Sequence, residues 1–512
     1  MPPSDVARLP DLPDELLAEI VNQLDDESLI QLSMTCKKFH FLALPVVFTR
    51  AKLVSTKCLY LRQSPAHLLR ALRIALFVDD ATSFIIGLNH DRDRLLPEVQ
   101  SFQRLVSRMP STIMFTFFMP FSTFAFNKDG VFDRWTREVI RLFDIVLSRQ
   151  CRYFYVAGDI VSPSSESIEA PSTNTLSLRA TLLQLPIVKK IGGRLRNLPK
   201  FAKRTILSTV PQNPTRQGSS PHSSVLRYFH ALSPMLFQTE FLDWTTSTLQ
   251  TNSQTLVEVS FVTDRISAST WHDLLSKLTL PSLSRFQLTC NGAMERQTIC
   301  FNDILKFLTR HPSIVGLDFL GLVPRNSHRP RNLLPALETL ISPPGLIVWL
   351  LDRKYPRKQL KSLNIVSDVL RRIANLDYDV FDEVLVLLPH CTPSLTTLKL
   401  SFWGPHPIQW LDKHGSRDHD GSPSGPLAAL KGITTLELAL IWSWEKEVTD
   451  VIPHFVVQFP GLQHLIYPEP PLNLAMEPAK RKFLKEIALM CPGMKTVSIG
   501  CTPVNLDSLS EG

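Results

Sequence analysis

The chain has 512 residues, of which 44% are hydrophobic, and this composition excludes a protein that is disordered throughout. A formal net charge of +8 over this length is too weak a bias to indicate nucleic-acid binding. The eight cysteines include no Cys-x-x-Cys pair, which favours reduced thiols over a disulfide framework or a zinc ribbon. Residues 1–10 lack the apolar stretch of a secretion signal, and no apolar run reaches the ~18 residues of a membrane span. We therefore expect a soluble protein of the cytoplasm, the nucleus or both, without a membrane or nucleic-acid partner.

The first elements along the chain are three short amphipathic helices. Pro13 suits the first turn of a helix, where a missing N–H costs nothing. Asp25 or Asp26 can cap the second helix, and a third helix would carry Cys36 and Phe39. One face of the first helix is apolar, with Leu16, Leu17, Ile20, Val21 and Leu24. Three helices in so few residues leave apolar surface uncovered, which is typical of a surface that binds a partner.

This segment resembles an F-box. The family pattern is Leu-Pro-x-Glu, then an Ile and three spaced Leu residues, then Ser-x-x-Cys, a basic residue and an aromatic residue. The matching residues are Leu12, Pro13, Glu15, Ile20, Leu24, Leu29, Leu32, Ser33, Cys36, Lys38 and Phe39. The last aromatic residue is often Trp in the family, and Phe39 keeps a ring at that position. An ordinary amphipathic helical hairpin is the alternative interpretation of the same residues.

The resemblance implies that residues 1–50 form a domain that binds a Skp-family adaptor and, through it, a cullin. By this resemblance, the adaptor-binding residues are Leu12, Pro13, Ile20, Leu24, Leu29, Leu32 and Phe39. Leu16, Leu17 and Val21 share the apolar face of the first helix, so some members of these sets must instead hold the three helices together. The residues alone leave that division open.

From Leu256 onward the chain repeats one short pattern, in which an apolar residue is followed by apolar residues three and five positions later. The last three positions alternate as in a short strand. Eight such units begin at Leu256, Leu283, Ile314, Leu360, Leu395, Ile433, Leu462 and Met494. Several follow a helix-like segment that ends near a proline, such as Pro312, Pro389 or Pro492, because proline disfavours helical geometry in the residue before it. Helix, proline and strand at intervals of about 27 to 46 residues indicate a solenoid.

These units resemble degenerate leucine-rich repeats. The family unit is Leu-x-x-Leu-x-Leu-x-x-Asn, but only the Leu283 unit has the Asn, at Asn291, so we expect an irregular arc. Units that begin at Leu69, Cys151 and Thr173 extend the pattern into residues 51–250. The predicted fold class is therefore α/β, with an N-terminal three-helix F-box followed by an irregular leucine-rich-repeat-like α/β solenoid over residues 51–512. An ordinary α/β domain with several strands is the alternative.

Three stretches of the array are predicted to be loop insertions. Residues 161–174 and 211–224 are rich in Ser and Pro, and residues 404–426 are rich in Gly, His and Asp. Insertions in solenoids map to loops, often on the binding face.

The sequence contains none of the motifs that we sought for catalysis. There is no glycine-rich phosphate loop, no Gly-x-Ser-x-Gly elbow and no His-Glu-x-x-His helix. His414, Asp418, His419 and Asp420 are residue types that ligate metals, but their irregular spacing favours a solvated loop. We therefore predict no catalytic residues, no metal ion and no cofactor.

Together, these features predict a substrate-recognition subunit of an SCF-type (cullin–RING) ubiquitin ligase. The F-box would bind the Skp-family adaptor, and the repeats would bind a protein substrate whose identity the sequence does not give. One alternative is a protein-interaction scaffold that retains an F-box-like fold but acts outside the ligase. A second alternative is an enzyme with a site near His414 and Asp418.

Overall fold

The structure is a computed structural model. It describes residues 9–53, 55–62, 66–79, 81–88, 92–119, 131–158, 225–262, 266–290, 299–322, 324, 328–367, 378–402, 407–415, 425–440, 447–469, 474, 476–500 and 502–507. The predicted loops at 161–174 and 211–224 lie outside these ranges, as does the repeat unit predicted at Thr173.

The N-terminal part contains the three predicted helices, which are α1 (Asp14–Gln23), α2 (Asp26–Ser33) and α3 (Lys37–Arg50), after a 3-10 turn at Leu9–Asp11. Of the two predicted caps, Asp25 is the one that the structure uses, because its Oδ1 accepts the backbone N–H of Ser28 at 2.8 Å. This hydrogen bond and a second one, from the Ser28 hydroxyl, lower the pKa of the Asp25 carboxyl. Arg50 ends α3, and its guanidinium donates to the Leu24 carbonyl at 2.7 Å and to the Asn22 carbonyl at 2.7 Å. The end of α3 thus satisfies carbonyls that the end of α1 leaves free.

After the N-terminal helices, the described residues include one fifteen-stranded sheet, in which the strands follow each other in chain order. The strands are β1 (Cys58–Arg62), β2 (Ser83–Gly87), β3 (Met114–Phe118), β4 (Tyr153–Ala157), β5 (Tyr228–Leu232), β6 (Glu258–Val262), β7 (Arg285–Thr289), β8 (Gly316–Leu320), β9 (Thr339–Ser342), β10 (Ser362–Val366), β11 (Thr397–Phe402), β12 (Thr435–Leu440), β13 (His464–Tyr467), β14 (Thr496–Ile499) and β15 (Thr502–Asn505). All neighbouring pairs are parallel except the last, because β15 turns back antiparallel to β14.

Parallel neighbours require crossover connections, and helices provide most of them here. The helices of the array are α4 (Ala66–Ile74), α5 (Arg92–Arg108), α6 (Val131–Ser148), α7 (Thr239–Thr251), α8 (Ala268–Lys277), α9 (Phe301–Arg310), α10 (Pro344–Leu350), α11 (Tyr378–Cys391), α12 (Pro407–Gly415), α13 (Glu447–Val456) and α14 (Glu477–Met490). Short 3-10 turns lie at Pro234–Phe237 and Pro426–Ala429. This succession of helix and strand confirms the predicted α/β array that follows the N-terminal helices.

The apolar pattern locates the strands because its three positions are all buried. In the Leu283 unit, Leu283 precedes β7, and Phe286 and Leu288 occupy its second and fourth positions in the core. All eight predicted units coincide with strands, as does the earlier unit at Cys151, which is β4. Six strands were not predicted, namely β1, β2, β3, β5, β9 and β15. In β5 and β9 the fourth residues, Ala231 and Ser342, are not large apolar residues.

Three predictions about local structure were wrong. The Leu69 unit lies on α4, because an i, i+3 pair of leucines fits a helix as well as it fits a strand. Pro389 lies inside α11, which continues to Cys391. The loop predicted at 404–426 contains α12, in which the buried side chains of Trp410 and Leu411 anchor a helical turn; residues 403–406 and 416–424 lie outside the described part.

The N-terminal helices and the array share one continuous hydrophobic core. At the junction, the Leu76 backbone N–H donates to His40 Nε2 at 3.0 Å, and His40 Nδ1 therefore donates to the Ser33 carbonyl at 3.2 Å. The rings of Phe48 and Phe77 meet at a centroid distance of 5.8 Å. These contacts fix the N-terminal helices against the first repeat.

Gly461 lies where the chain turns into β13, against the preceding repeat. A Cβ at this position would lie 2.3 Å from the backbone oxygen of Lys431, which has no freedom to move away. We expect Gly461→Ala to lower the free energy of unfolding by about 2 kcal/mol through this overlap. Gly493→Ala is the matched control, because a Cβ at the equivalent turn of the next repeat meets only the Leu462 oxygen at 3.8 Å. Equal thermal midpoints for the two variants would contradict this prediction.

Candidate docking surfaces

One face of α1 is apolar and exposed. Leu16 is 49% exposed and Ile20 is 37% exposed, whereas Leu17 and Val21 are buried against the other helices. Pro13 is exposed and Leu12 is half-buried just before α1, and the spacing of four residues places Leu16 and Ile20 on one face of that helix. We call Leu12, Pro13, Leu16 and Ile20 the α1 stripe.

The structure separates the seven residues predicted to bind an adaptor into three groups. Leu12, Pro13 and Ile20 lie on the α1 stripe. Leu24 and Leu32 are half-buried and pack against the core. Leu29 and Phe39 are buried, so in the free chain their side chains help to hold the three helices together.

Leu16 is a member of the stripe that the family pattern did not supply. The apolar positions of α1 cover a broad arc, and only the packing against α3 shows that Leu17 and Val21 face inward while Leu16 faces outward. Met34, just after α2, and Phe41, on α3, are also exposed.

Lys38 holds the chain that leads into α1. Its Nζ donates to the Pro10 carbonyl at 3.0 Å and the Leu12 carbonyl at 3.3 Å, and it pairs with Asp14 Oδ1 at 3.0 Å. The basic position of the family pattern thus orients the first residues of the stripe.

The second candidate surface is the face of the sheet that points away from the helices. Because side chains alternate along a strand, the second and fourth residues enter the core and the first, third and fifth form the far face. Register aligns the first residues in one row, which contains Tyr153, Tyr228, Glu258, Arg285 and Gly316. The third residues form the central row, with Tyr155, His230, Ser260, Gln287 and Asp318.

These two rows carry a cluster of ionisable groups between β4 and β8. The Tyr155 and His230 rings stack at 4.1 Å, and His230 Nε2 lies 3.5 Å from Glu258 Oε1. Arg285 Nη1 lies 3.9 Å from Glu258 Oε2. This cluster was not predicted from the sequence. Tyr155, His230 and Asp318 each lie between the two core residues of a strand, whereas Glu258 and Arg285 are the first residues of theirs.

Burial changes the protonation of this cluster. It lowers the pKa of His230 to about 3, so this imidazole is neutral near pH 7. Burial, together with the charge of Glu258, raises the pKa of Asp318 to about 7. Burial also raises the pKa of Glu258, although Arg285 opposes that shift. The carboxyl of Asp318 and the imidazole of His230 therefore titrate far from their ordinary ranges.

The structure assigns His414 to packing. Its Nε2 lies 2.7 Å from Asp382 Oδ1, which also accepts the Trp410 indole N–H at 2.7 Å and thereby ties α12 to α11. Asp418, His419 and Asp420 lie outside the described residues. Within the described ranges there is no group of three or more side chains that could hold a metal ion, and no helix there has the length and apolar character needed to cross a bilayer.

Comparison with known proteins identifies the N-terminal segment. Residues 9–50 match the family model of the F-box domain, which confirms the resemblance seen in the sequence. No curated protein matches the chain. Among solved structures, the chain is similar to a chain in the crystal structure of the Rad7 and Elc1 complex in yeast, with 12% identity over 83% of this chain and 85% of that chain and a TM-score of 0.33. A likeness this distant carries no conclusion about function.

Proposed function

We propose that this protein is a substrate-recognition subunit of an SCF-type ubiquitin ligase in the cytoplasm or nucleus. The observation that carries the proposal is an F-box domain at residues 9–50 whose first helix leaves Leu16 and Ile20 exposed. By this proposal, the α1 stripe binds a Skp-family adaptor, the adaptor connects the chain to a cullin, and the array binds a protein substrate.

The stripe has the chemistry of an interface core. Leucine and isoleucine side chains that are exposed in the free chain gain roughly 25 cal/mol for each Å² that a partner covers. Asp14, Glu15 and Glu19 surround the stripe with exposed charge, which is the usual arrangement of an apolar core with a polar rim. Lys38 anchors the chain ahead of α1, so the stripe is ordered before a partner arrives.

By this proposal, the chain contributes proximity and performs no bond chemistry itself. Holding a substrate lysine near the charged ubiquitin carrier raises their effective concentration, which reaches roughly the mM range for short tethers. The shared core between the F-box helices and the array would hold the substrate at a fixed position relative to the adaptor.

The test is co-purification of the full chain with a purified Skp-family adaptor. Stoichiometric capture supports the proposal. A folded full chain that captures no adaptor would contradict it and favour a scaffold that acts outside the ligase. Deletion of residues 1–50 is unsuitable as the control, because it would expose Phe77 and the core at the junction.

We expect the double substitution Leu12→Ala and Pro13→Ala to weaken adaptor binding about tenfold, or about 1.4 kcal/mol. The two side chains begin the stripe, and neither lies in the core of the array. The Lys38 bond to the Leu12 carbonyl is made by the backbone and survives both changes. The affinity is measured by calorimetry with purified adaptor, beside the thermal midpoint of each chain. An unchanged affinity would show that the stripe begins after Pro13.

A further inference from the structure

The residues that directly precede strands β1 to β14 form a row at the amino end of the sheet, which we call the edge row. Backbone hydrogen bonds align its members on neighbouring strands. The Arg152 N–H donates to the Ile113 carbonyl at 2.9 Å, and the Arg227 N–H donates to the Arg152 carbonyl at 3.0 Å. Ile113, Arg152 and Arg227 therefore lie side by side, before β3, β4 and β5.

Two positive charges are neighbours in the edge row. Arg152 and Arg227 are both exposed, and neither guanidinium makes a hydrogen bond or an ion pair with the described residues. Side chains of adjacent edge-row residues can reach each other, since Lys361 Nζ lies 3.1 Å from Glu338 Oε1. Glu338 and Lys361 offset each other's charge, whereas the two arginines repel, and like charges on neighbouring strands are destabilising. An anion held between the two arginines would remove this repulsion.

A carboxylate from outside the chain fits the arginine pair. A guanidinium is a planar fork of donors that pairs with carboxylate oxygens, so two adjacent forks can hold one carboxylate from two sides. Glu258, which begins the next strand, is engaged on the far face, where it lies 3.5 Å from His230 and 3.9 Å from Arg285. The arginine pair is therefore left to an external partner.

Ile113 adds an apolar contact beside the pair. Its side chain is 40% exposed. With strands about 4.8 Å apart, Ile113 lies about 7 Å along the edge row from the midpoint of Arg152 and Arg227. In an extended peptide, side chains two residues apart lie on the same side and about 6.7 Å apart. A peptide that runs along the edge row can thus place a carboxylate between the arginines and an apolar side chain against Ile113.

We propose that Ile113, Arg152 and Arg227, together called the edge site, bind an extended segment of a protein substrate in which an Asp or Glu lies two residues from an aliphatic residue. The proposal deepens the proposed function and rests on it for the identity of the partner as a ligase substrate. Two requirements at a fixed spacing reject segments that meet only one of them. Because both arginines are exposed, salt should weaken the contribution of the carboxylate.

The experiment uses the full chain and immobilised pools of random dodecapeptides that contain no Asp or Glu outside the fixed positions. The pools fix Glu and Leu two residues apart in either order, Gln and Leu at that spacing, Glu and Ser at that spacing, or Glu and Leu five residues apart. We expect at least about tenfold stronger retention on the first pool than on the Gln pool, and several-fold stronger retention than on the other two. This preference should shrink in about 0.5 M NaCl.

Substitutions separate the two requirements. Arg152→Gln with Arg227→Gln should remove the preference for Glu over Gln, and Ile113→Ser should remove the preference for Leu over Ser. All three side chains are exposed, and loss of the like-charged pair should leave the thermal midpoint unchanged or raise it. Lys495→Gln is the matched control, because Lys495 is also an exposed cation of the edge row but lies next to Gln463, before β14.

Equal retention on the Glu and Gln pools would overturn the proposal, and so would a preference for Glu that survives the double arginine substitution. Retention that is independent of the spacing between Glu and Leu would overturn the role of Ile113. Adaptor capture is measured with the same preparation. A chain that captures the adaptor but shows no preference overturns the edge site and leaves the ligase role standing. A chain with the preference but without adaptor capture overturns the ligase role and supports the site.

Discussion

Replacing both Leu16 and Ile20 with glutamate is expected to abolish adaptor capture, with a loss of affinity of at least about 100-fold. Both side chains are exposed in the free chain, so the substitutions cost little in folding. In a complex, each carboxylate would be removed from water without a partner, which costs several kcal/mol. Glutamate also keeps the helical propensity of α1. The measurement is calorimetric titration with purified adaptor, with circular dichroism to confirm unchanged helix content.

Leu489→Glu is the control for this double variant. Leu489 lies on α14 at the far end of the array and is 83% exposed, so it tests the same change of apolar to acidic side chain away from the F-box domain. It should bind the adaptor as the unchanged chain does. If Leu16→Glu with Ile20→Glu binds equally well, the adaptor contacts another face of the three helices.

Asp318→Asn is expected to make the protein more stable at pH 8 than the unchanged chain. A carboxyl whose pKa is raised from 3.8 to about 7 on folding contributes stability that is fully present below pH 3.8 and is lost as pH rises through 7. The unchanged chain should therefore lose about 3 kcal/mol between pH 5 and pH 8 from this group. Asparagine carries no charge at either pH and removes that dependence.

Thermal or denaturant midpoints at pH 5 and pH 8 measure this effect. The difference between Asp318→Asn and the unchanged chain should be several-fold larger at pH 8 than at pH 5. A variant that is destabilised equally at both pH values would show that Asp318 ionises freely in the folded chain.

The sequence predicted most strands because its apolar pattern reports burial directly. A residue before the strand and its second and fourth residues all enter one core, so a unit such as Leu395, Leu398 and Leu400 is visible in isolation. The pattern missed β9, because Ser342 is buried there although it is polar. It wrongly predicted a strand at Leu69, because a helix places apolar residues at the same spacing. In both cases neighbouring repeats, rather than local preference, determine what is buried.

The candidate surfaces were predictable to different degrees. The F-box domain was recognisable from an ordered set of residues, but the separation of Leu16 from Leu17 depends on how α1 packs against α3. The ionisable cluster around Glu258 was not predictable from local sequence. Tyr155, His230 and Glu258 lie far apart along the chain, and only the strand register makes them neighbours.

The parallel register places successive repeats at a regular spacing along the array. Neighbouring strands are about 4.8 Å apart, so β7 lies about 29 Å from β1, next to which the F-box helices are fixed. Inserting one repeat between β2 and β3 would move the cluster around Glu258 about 5 Å further from β1 and leave the residues of both surfaces unchanged. The number of repeats would thereby set which lysines of a bound protein can reach the ubiquitin carrier.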